Sequence, residues 1–286
     1  MFLIITLILL YVPLAAGVVL TFRVLRFPDL TIDGSFTLGA ATVAVFALHG
    51  SPLLGILIAP AAGAMAGAAT ASLYAFGRLN KLVAGIVVLT ALYTLTLRLM
   101  GAANIQLITT PTVLTFTEER LGSSGPLSAV AVAAAGVVGV LGIASRTVGG
   151  LALRATGDNS AFVRQLGKSE RGYLITGLAV GNALVALTGA EVAMFQGFAD
   201  VNMGVGTLVT GLTVVFLGAS LVRSEAPTPT LLSGLVGVSL YMISVQVALR
   251  VGVNPIDLKL ATAALLCLII LLMRHNKDVV VLLDTE

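Results

Sequence analysis

Long apolar runs, separated by short polar breaks, dominate the chain from its first residue. Candidate spans fall at about 1–22, 35–49, 53–77, 82–99, 127–145, 173–195, 206–222, 231–249 and 260–273. A helix needs roughly 20 apolar residues to cross the hydrocarbon of a bilayer, and most of these runs meet that length. The second and last are short, so each is tilted, extended at one end, or only half a span. The first run lacks a basic leader, its first charge being Arg23 on the far side. It therefore reads as an uncleaved span rather than a signal peptide. The pattern predicts an all-α polytopic membrane protein of about eight or nine helices, organised as one transmembrane unit over 1–286.

Composition sharpens this picture. Of the 286 residues, 58% are hydrophobic and 10% charged, against about 25% charged in a soluble domain. A soluble enzyme and a disordered chain are both excluded. The net charge of +3 is small and unevenly placed, which speaks for membrane topology and against nucleic-acid binding. The segment 146–172 carries Arg146, Arg154, Arg164, Lys168 and Arg171, so it is expected in the cytoplasm. Alternating from there, twelve Lys and Arg fall inside and four (Arg98, Arg120, Arg250 and Lys259) outside. That register puts the N-terminus outside and the C-terminus in the cytoplasm. Its weak point is 23–34, which either reaches the cytoplasm or stays at mid-membrane.

Several chemistries lack their residues. Cys267 is the single cysteine, which excludes disulfide frameworks and zinc–cysteine sites within one chain. His49 and His275 are expected at opposite faces, so no metal site is called. No nucleophile–base pair stands out, and no catalytic residue or cofactor is called. Gly167-Lys168-Ser169 resembles the end of a phosphate loop, but position 162 is Phe where that loop needs Gly. Glu191 is a buried acid that either pairs with Arg98 or reaches the surface.

Gly63 and Gly67 form a small-residue step in an Ala-rich run, and Gly136, Gly139 and Gly142 do the same in the fifth. Without a hydrophobic force between helices in lipid, such positions allow close backbone packing. That packing lies either within the chain or at a subunit interface.

Two breaks repeat one another: Phe27-Pro28-Asp29-Leu30-Thr31-Ile32 and Phe198-Ala199-Asp200-Val201-Asn202-Met203. Both interrupt apolar runs and lead into Thr-bearing helices, and the loop count puts them toward opposite faces. This is the pattern of an inverted-topology repeat. Asp29 and Asp33 facing lipid would cost roughly 2.5–3.5 kcal/mol each, so they belong in the bundle interior, at an interface or along a wet cavity. Asp33 or Ser35 is placed to cap the following helix. Two compatible readings stay open: caps that satisfy orphan amides, or polar ends of broken helices lining a solute pathway through Asp29, Thr31, Asp33, Ser35, Asp200 and Asn202.

The segment Arg154 to Gly167 reads as a short cytoplasmic helix, capped by Asp158 or Asn159 and ended by Gly167. Phe162, Val163 and Leu166 share one side. That apolar side docks either on the membrane and the chain's own loops or in a groove on a cytoplasmic partner.

At this helix and the two breaks the chain resembles the permease subunit of an ATP-binding-cassette importer, of the branched-chain amino acid and ribose permease superfamily. It is most similar to the bacterial subgroup labelled tryptophan/tyrosine (uncharacterised) transport system permease. The resemblance rests on Phe27-Pro28-Asp29-Leu30-Thr31-Ile32-Asp33-Gly34-Ser35-Phe36-Thr37-Leu38-Gly39, on Arg154-Ala155 with Gly157 and Asn159, and on Asn182-Ala183-Leu184. Gln196 to Val201 with Met203-Gly204, and Asn254-Pro255 with Asp257 to Leu260, extend it in family order. Glu191 and Leu217-Gly218-Ala219-Ser220 depart from the pattern.

The resemblance implies a multi-span permease fold with a broken early helix and a pathway shared by two permease copies, a homodimer where one permease gene is present. It also implies a coupling helix at 154–167 (Arg154, Gly157, Asn159, Phe162, Val163, Leu166) seated in two cytoplasmic ATP-binding subunits. An extracytoplasmic solute-binding protein would deliver an amino acid or similar small polar solute in the bacterial inner membrane. ATP hydrolysis would belong to the partner, not to this chain. The competing readings are an ion-coupled secondary transporter, with Asp29 or Asp200 as the ion-binding acid, and a membrane enzyme, whose catalytic constellation the sequence lacks.

Overall fold

The computed structural model describes residues 2–165, 167–222, 227–254 and 257–273. Seven helices among them are long and apolar enough to cross a membrane, and two shorter apolar helices, Thr207–Leu221 and Leu258–Leu272, accompany them. The helical form follows from the solvent: lipid offers no hydrogen bonds, so each span must satisfy its own backbone.

The first span is a broken rod. Helix α1 (Phe2–Leu10) yields to α2 (Val12–Val18) at Tyr11, where Pro13 interrupts the ladder, and α2 runs on into a π-helical turn, Val19–Val24. After the break at 25–30 come α3 (Thr31–Leu48), α4 (Pro52–Ala75) and α5 (Lys81–Met100). A short strand β1 (Asn104–Gln106), helix α6 (Val113–Leu121) and helix α7 (Gly125–Ala144) lead to two short helices, α8 (Val148–Asp158) and α9 (Ser160–Gln165). The second half is α10 (Glu170–Gln196), strand β2 (Phe198–Asp200), α11 (Thr207–Leu221), α12 (Pro227–Arg250) and α13 (Leu258–Met273).

Three boundaries differ from the hydropathy reading. The second span starts at Thr31, four residues early, and so reaches 18 residues. The last one starts at Leu258. Residues 100–126 are not a plain loop: β1 pairs antiparallel with β2, with Asn104 opposite Asp200 and Gln106 opposite Phe198. Helix α6 then folds against the start of α7, where a Cβ at Gly125 would overlap the Thr117 carbonyl. Thr112 caps α6 through a capping box with Thr115, a signal hidden from hydropathy.

Helices α3 and α10 form the centre. They touch backbone to backbone: a Cβ at Gly39 would overlap the Ala186 carbonyl, and one at Gly189 the Phe36 carbonyl. Gly63 and Gly67 bring α4 against Asn182 and Leu178 of α10 in the same way. Gly136, Gly139 and Gly142 of α7, by contrast, face open space within the chain. Packing inside the chain therefore accounts for the first glycine step and not the second.

The contacts fit the inverted repeat expected from the two breaks. Helix α3 packs on α4 and α5, and α11 packs on α12 and α13. Each half's leading helix is exchanged: α10 lies on α3 and α4, while α2 lies on α11 and α12. Leu25 meets Gly177, Thr21 meets Gly181 and Gly17 meets Val185, so the leading helices run antiparallel. The breaks fall at opposite ends. Residues 25–30 sit with α8 at an end bearing Arg26, Arg78, Lys81 and Arg154, the basic end. Residues 197–206 sit with β1 at the other, the ribbon end.

Candidate functional site

The first break is closed and saturated. Asp29 is fully buried. Its Oδ1 accepts from the Thr31 backbone N–H at 2.9 Å, and its Oδ2 accepts from Asn182 Nδ2 at 2.6 Å. Asn182 Nδ2 also donates to the Leu178 carbonyl, and its Oδ1 accepts from Ser35 Oγ at 2.7 Å. Thr31 and Thr70 share a hydrogen bond at 2.6 Å between hydroxyls. Asp29, Thr31, Ser35, Thr70 and Asn182 are all fully buried. Every polar group of the cluster has a partner, as burial in an apolar interior requires. The cluster ties the start of α3 to α4 and α10. None of its residues lines the cavity described below.

The second break starts with the same turn. Asp200 Oδ1 accepts from the Asn202 N–H at 2.8 Å, the counterpart of Asp29 and Thr31. From there the two breaks part. Asp200 Oδ2 accepts from Asn104 Nδ2 across the ribbon at 3.2 Å. The chain then turns back inward, and α11 starts at Gly206, whose φ of +89° favours glycine.

Here the structure corrects the capping assignment. Asp33 and Ser35 do not cap α3: its N-cap is Leu30, which makes no side-chain cap bond, and Ser35 is committed to Asn182. Asp33 instead reaches across to α11. Its carboxylate accepts from the Gly206 N–H at 3.1 Å and the Leu208 N–H at 2.7 Å, and Gly204 N–H donates to Thr37 Oγ1 at 3.1 Å. A carboxylate at a helix N-terminus is favoured by its orphan amides and its dipole.

Beside this cap lies a cavity of about 460 Å³, within the range of small-molecule sites. Four aromatic side chains wall it: Tyr11, Phe36, Phe198 and Tyr241. Asp200 and Asn202 line it, as do Gln196, Thr207, Thr210, Lys259 and Thr262. Among the six expected pathway residues, Asp200 and Asn202 thus meet at a cavity, Asp33 braces its floor through α11, and Asp29, Thr31 and Ser35 stay in the closed cluster. The reading of the sequence missed Tyr11, Gln196, Tyr241, Lys259 and Thr262. These come from α1–α2, α10, α12 and α13, and only the fold gathers them. The one signal in reach was Lys259, a cation at the start of an apolar run.

At the basic end the expected single helix over 154–167 is two helices. Arg154 and Gly157 belong to α8, and Asn159, at φ −153°, separates it from α9. Asn159 Oδ1 accepts from the Phe162 N–H at 3.0 Å and so caps α9. Gly167, at φ +70°, follows its end. Leu166 lies outside the described residues. Phe162 is 50% exposed, but Val163 is 2% exposed and packs inward, so the outward apolar side is smaller than the spacing suggested. Helix α8 is pressed against the first break. A Cβ at Gly157 would overlap the Val24 carbonyl, and Arg26 Nη2 donates to Asp158 Oδ1 at 2.9 Å. Arg26 holds φ at +50°, strained for a side chain of its size, and Lys81 Nζ donates to its carbonyl at 3.1 Å.

Glu191 neither pairs with Arg98 nor reaches the surface. It is 2% exposed, and its Oε2 has no hydrogen-bond partner among the described residues. No three His, Cys, Asp or Glu side chains among those residues gather where a metal ion could sit.

The sequence matches, over residues 1–273, the family described as branched-chain amino acid transport system / permease component. A tyrosine transport system permease protein of Clostridioides difficile (strain R20291) is 36% identical over 254 residues, which cover 87% of this chain and 83% of that relative. An uncharacterised protein of Rickettsia prowazekii (strain Madrid E) is 31% identical over 259 residues, 88% of this chain and 90% of the relative. No solved structure matches.

Proposed function

The chain belongs to the family of branched-chain amino acid transport system permease components, and on that premise we propose that it forms the solute pathway of an ATP-binding-cassette importer for an amino acid. It is a multi-pass membrane transport subunit; the energy source, partners and solute are the proposed part. The observation that carries the reading is the opposition of two features. The polar-lined cavity lies at the ribbon end, and a half-exposed Phe162 on α9 lies at the basic end.

In this reading the basic end faces the cytoplasm, as positive charge favours, in the bacterial inner membrane, with the N-terminus outside and the C-terminus inside. Two ATP-binding subunits grip α8 and α9 of two permease copies, with Phe162 as the inserted side chain. A solute-binding protein docks at the ribbon end, where 101–112 and 197–206 lie. The relative named for tyrosine transport favours an aromatic amino acid as solute.

Contacts already in place supply a route for the stroke. Movement of α8 acts on Val24 and Arg26 through Gly157 and Asp158. The break passes it to α3, whose saturated cluster makes its first turn rigid. Asp33 passes it to the start of α11, beside the cavity. Packed elements with a discrete alternative arrangement transmit such shifts.

The test is uptake of labelled L-tyrosine into proteoliposomes holding the permease with its ATP-binding subunits and binding protein. ATP-dependent uptake is expected. Uptake by the permease alone under an ion gradient would establish the secondary-transporter reading instead.

A further inference from the structure

The chemistry of the cavity wall says more about the solute than its size does. Tyr11, Gln196, Thr207, Thr210 and Lys259 line it and have no side-chain hydrogen-bond partner among the described residues. Of the other polar side chains there, Tyr241 and Thr262 bond each other at 3.0 Å and Asp200 uses both carboxylate oxygens, while the exposed Asn202 side chain makes no hydrogen bond among the described residues. A helix N-terminus is a common anion site, but that of α11 is filled by Asp33. An anionic group entering the cavity therefore has one positive partner to meet. That partner is Lys259, an exposed side chain at the first turn of α13 that forms no ion pair within bonding distance among the described residues, although it lies near enough to Asp33 for the two charges to attract. A carboxylate entering beside Asp33 and Asp200 meets like charge, which Lys259 offsets and no other lining side chain does, so the lysine decides whether a carboxylate is accepted. Tyr11, Phe36 and Tyr241 line the same cavity and offer flat apolar surface for a ring.

We propose that this cavity is a residence site for a carboxylate-bearing aromatic solute within the membrane subunit itself, and that Lys259 is the residue that selects the carboxylate. Selection by the permease then adds to whatever a delivering protein selects. The inference rests on the amino-acid import reading only for the solute's arrival, so the two are separable by experiment.

The full chain in lipid nanodiscs is titrated with labelled L-tyrosine, L-tryptophan and L-phenylalanine, each in competition with its carboxamide, which keeps ring and ammonium but lacks the carboxylate charge. Saturable binding is expected for at least one of the acids, with its amide competing tenfold or more less well. Lys259→Ala should weaken binding of the acid at least tenfold and bring the acid and amide to parity, while Lys259→Arg preserves the preference. No saturable binding, equal competition by the amide in the parent protein, or an unchanged preference in Lys259→Ala would each overturn the proposal. ATP-dependent uptake with no acid preference would sink this inference and leave the importer reading standing. A Lys259-dependent preference without ATP-dependent uptake would do the reverse.

Discussion

The two breaks share a sequence motif, an Asp turn and a place in the inverted repeat, yet they differ in whether their polar groups are finished. At the first, Asp29, Thr31, Ser35, Thr70 and Asn182 are fully buried and consume one another's hydrogen bonds. At the second, Asp200 is satisfied at the ribbon, but Tyr11, Gln196, Thr207, Thr210 and Lys259 around it are not, and a cavity of about 460 Å³ separates them. Both breaks keep the same Asp turn, in which the carboxylate accepts from the amide two residues on. That turn leaves side chains free to close one copy into a strut and open the other into a chamber. Asp33 joins the two, since it stands on the strut's helix and caps the chamber's.

The largest effect should come from opening the strut. Asn182→Ala leaves the Asp29 carboxylate and the Ser35 hydroxyl without their buried partner. Removing a hydrogen bond to a buried charged group costs about 3 kcal/mol once the orphaned groups are counted. Thermal unfolding of the purified permease should show that loss. A variant as stable as the parent would mean that the cluster is not a strut and would erase the contrast.

Asp33→Ala comes next. It orphans two amides of α11, and losing such a cap costs about 2 kcal/mol at most. Here the expected loss is shared between stability and transport, because the helix start lies beside the cavity. An Asp33→Ala protein with unchanged uptake would separate the strut from the chamber.

Asp200→Asn should change stability by under about 0.5 kcal/mol, in the range of partly exposed substitutions, because the amide oxygen still accepts from Asn202. Any effect should fall on solute affinity. If Asp200→Asn destabilises the protein as much as Asn182→Ala does, the second break is as structural as the first.

The two breaks were legible in the sequence, and the physical reason is the solvent, but the contrast between them was not. Lipid favours long apolar helical segments, so nine of them stood out close to their final places. A carboxylate in an apolar run is too costly to be idle, so both breaks stood out too. What stayed hidden were partners set by tertiary approach. Asp33 was read as a local cap, yet it caps a helix 173 residues away. The small-residue steps at Gly63/Gly67 and Gly136/Gly139 look alike on paper, while only the first meets another backbone in the chain. Spacing gives the width of a groove and not what lies in it. Val163 was read with Phe162 as one outward side, but the separation of α8 from α9 turns it inward. Lys259 was counted as a topology charge and quoted in the family motif but not placed at the pathway, because its neighbours in the chamber come from the α1–α2 junction and from α3, α10, β2, α11 and α12.

The smallest effect bears on how the basic end speaks to the strut. The Arg26–Asp158 pair is partly exposed, with side chains 36% and 56% accessible, and pairs of this kind are worth about 0.2–1 kcal/mol. Neither Arg26→Ala nor Asp158→Ala should unfold the protein. Arg26 also holds a strained φ, so Arg26→Gly would relieve strain while removing the pair. If the pair only stabilises, Arg26→Gly and Asp158→Ala should differ in melting temperature and not in ATP-driven uptake. If it carries the stroke, both should lower uptake per ATP hydrolysed to a similar degree, with the double variant no worse than either single one. That non-additivity, read in a double-mutant cycle on uptake rather than on melting, is the expected outcome. Additive losses would place the mechanical contact elsewhere, with the backbone approach of Gly157 to Val24 as the remaining candidate.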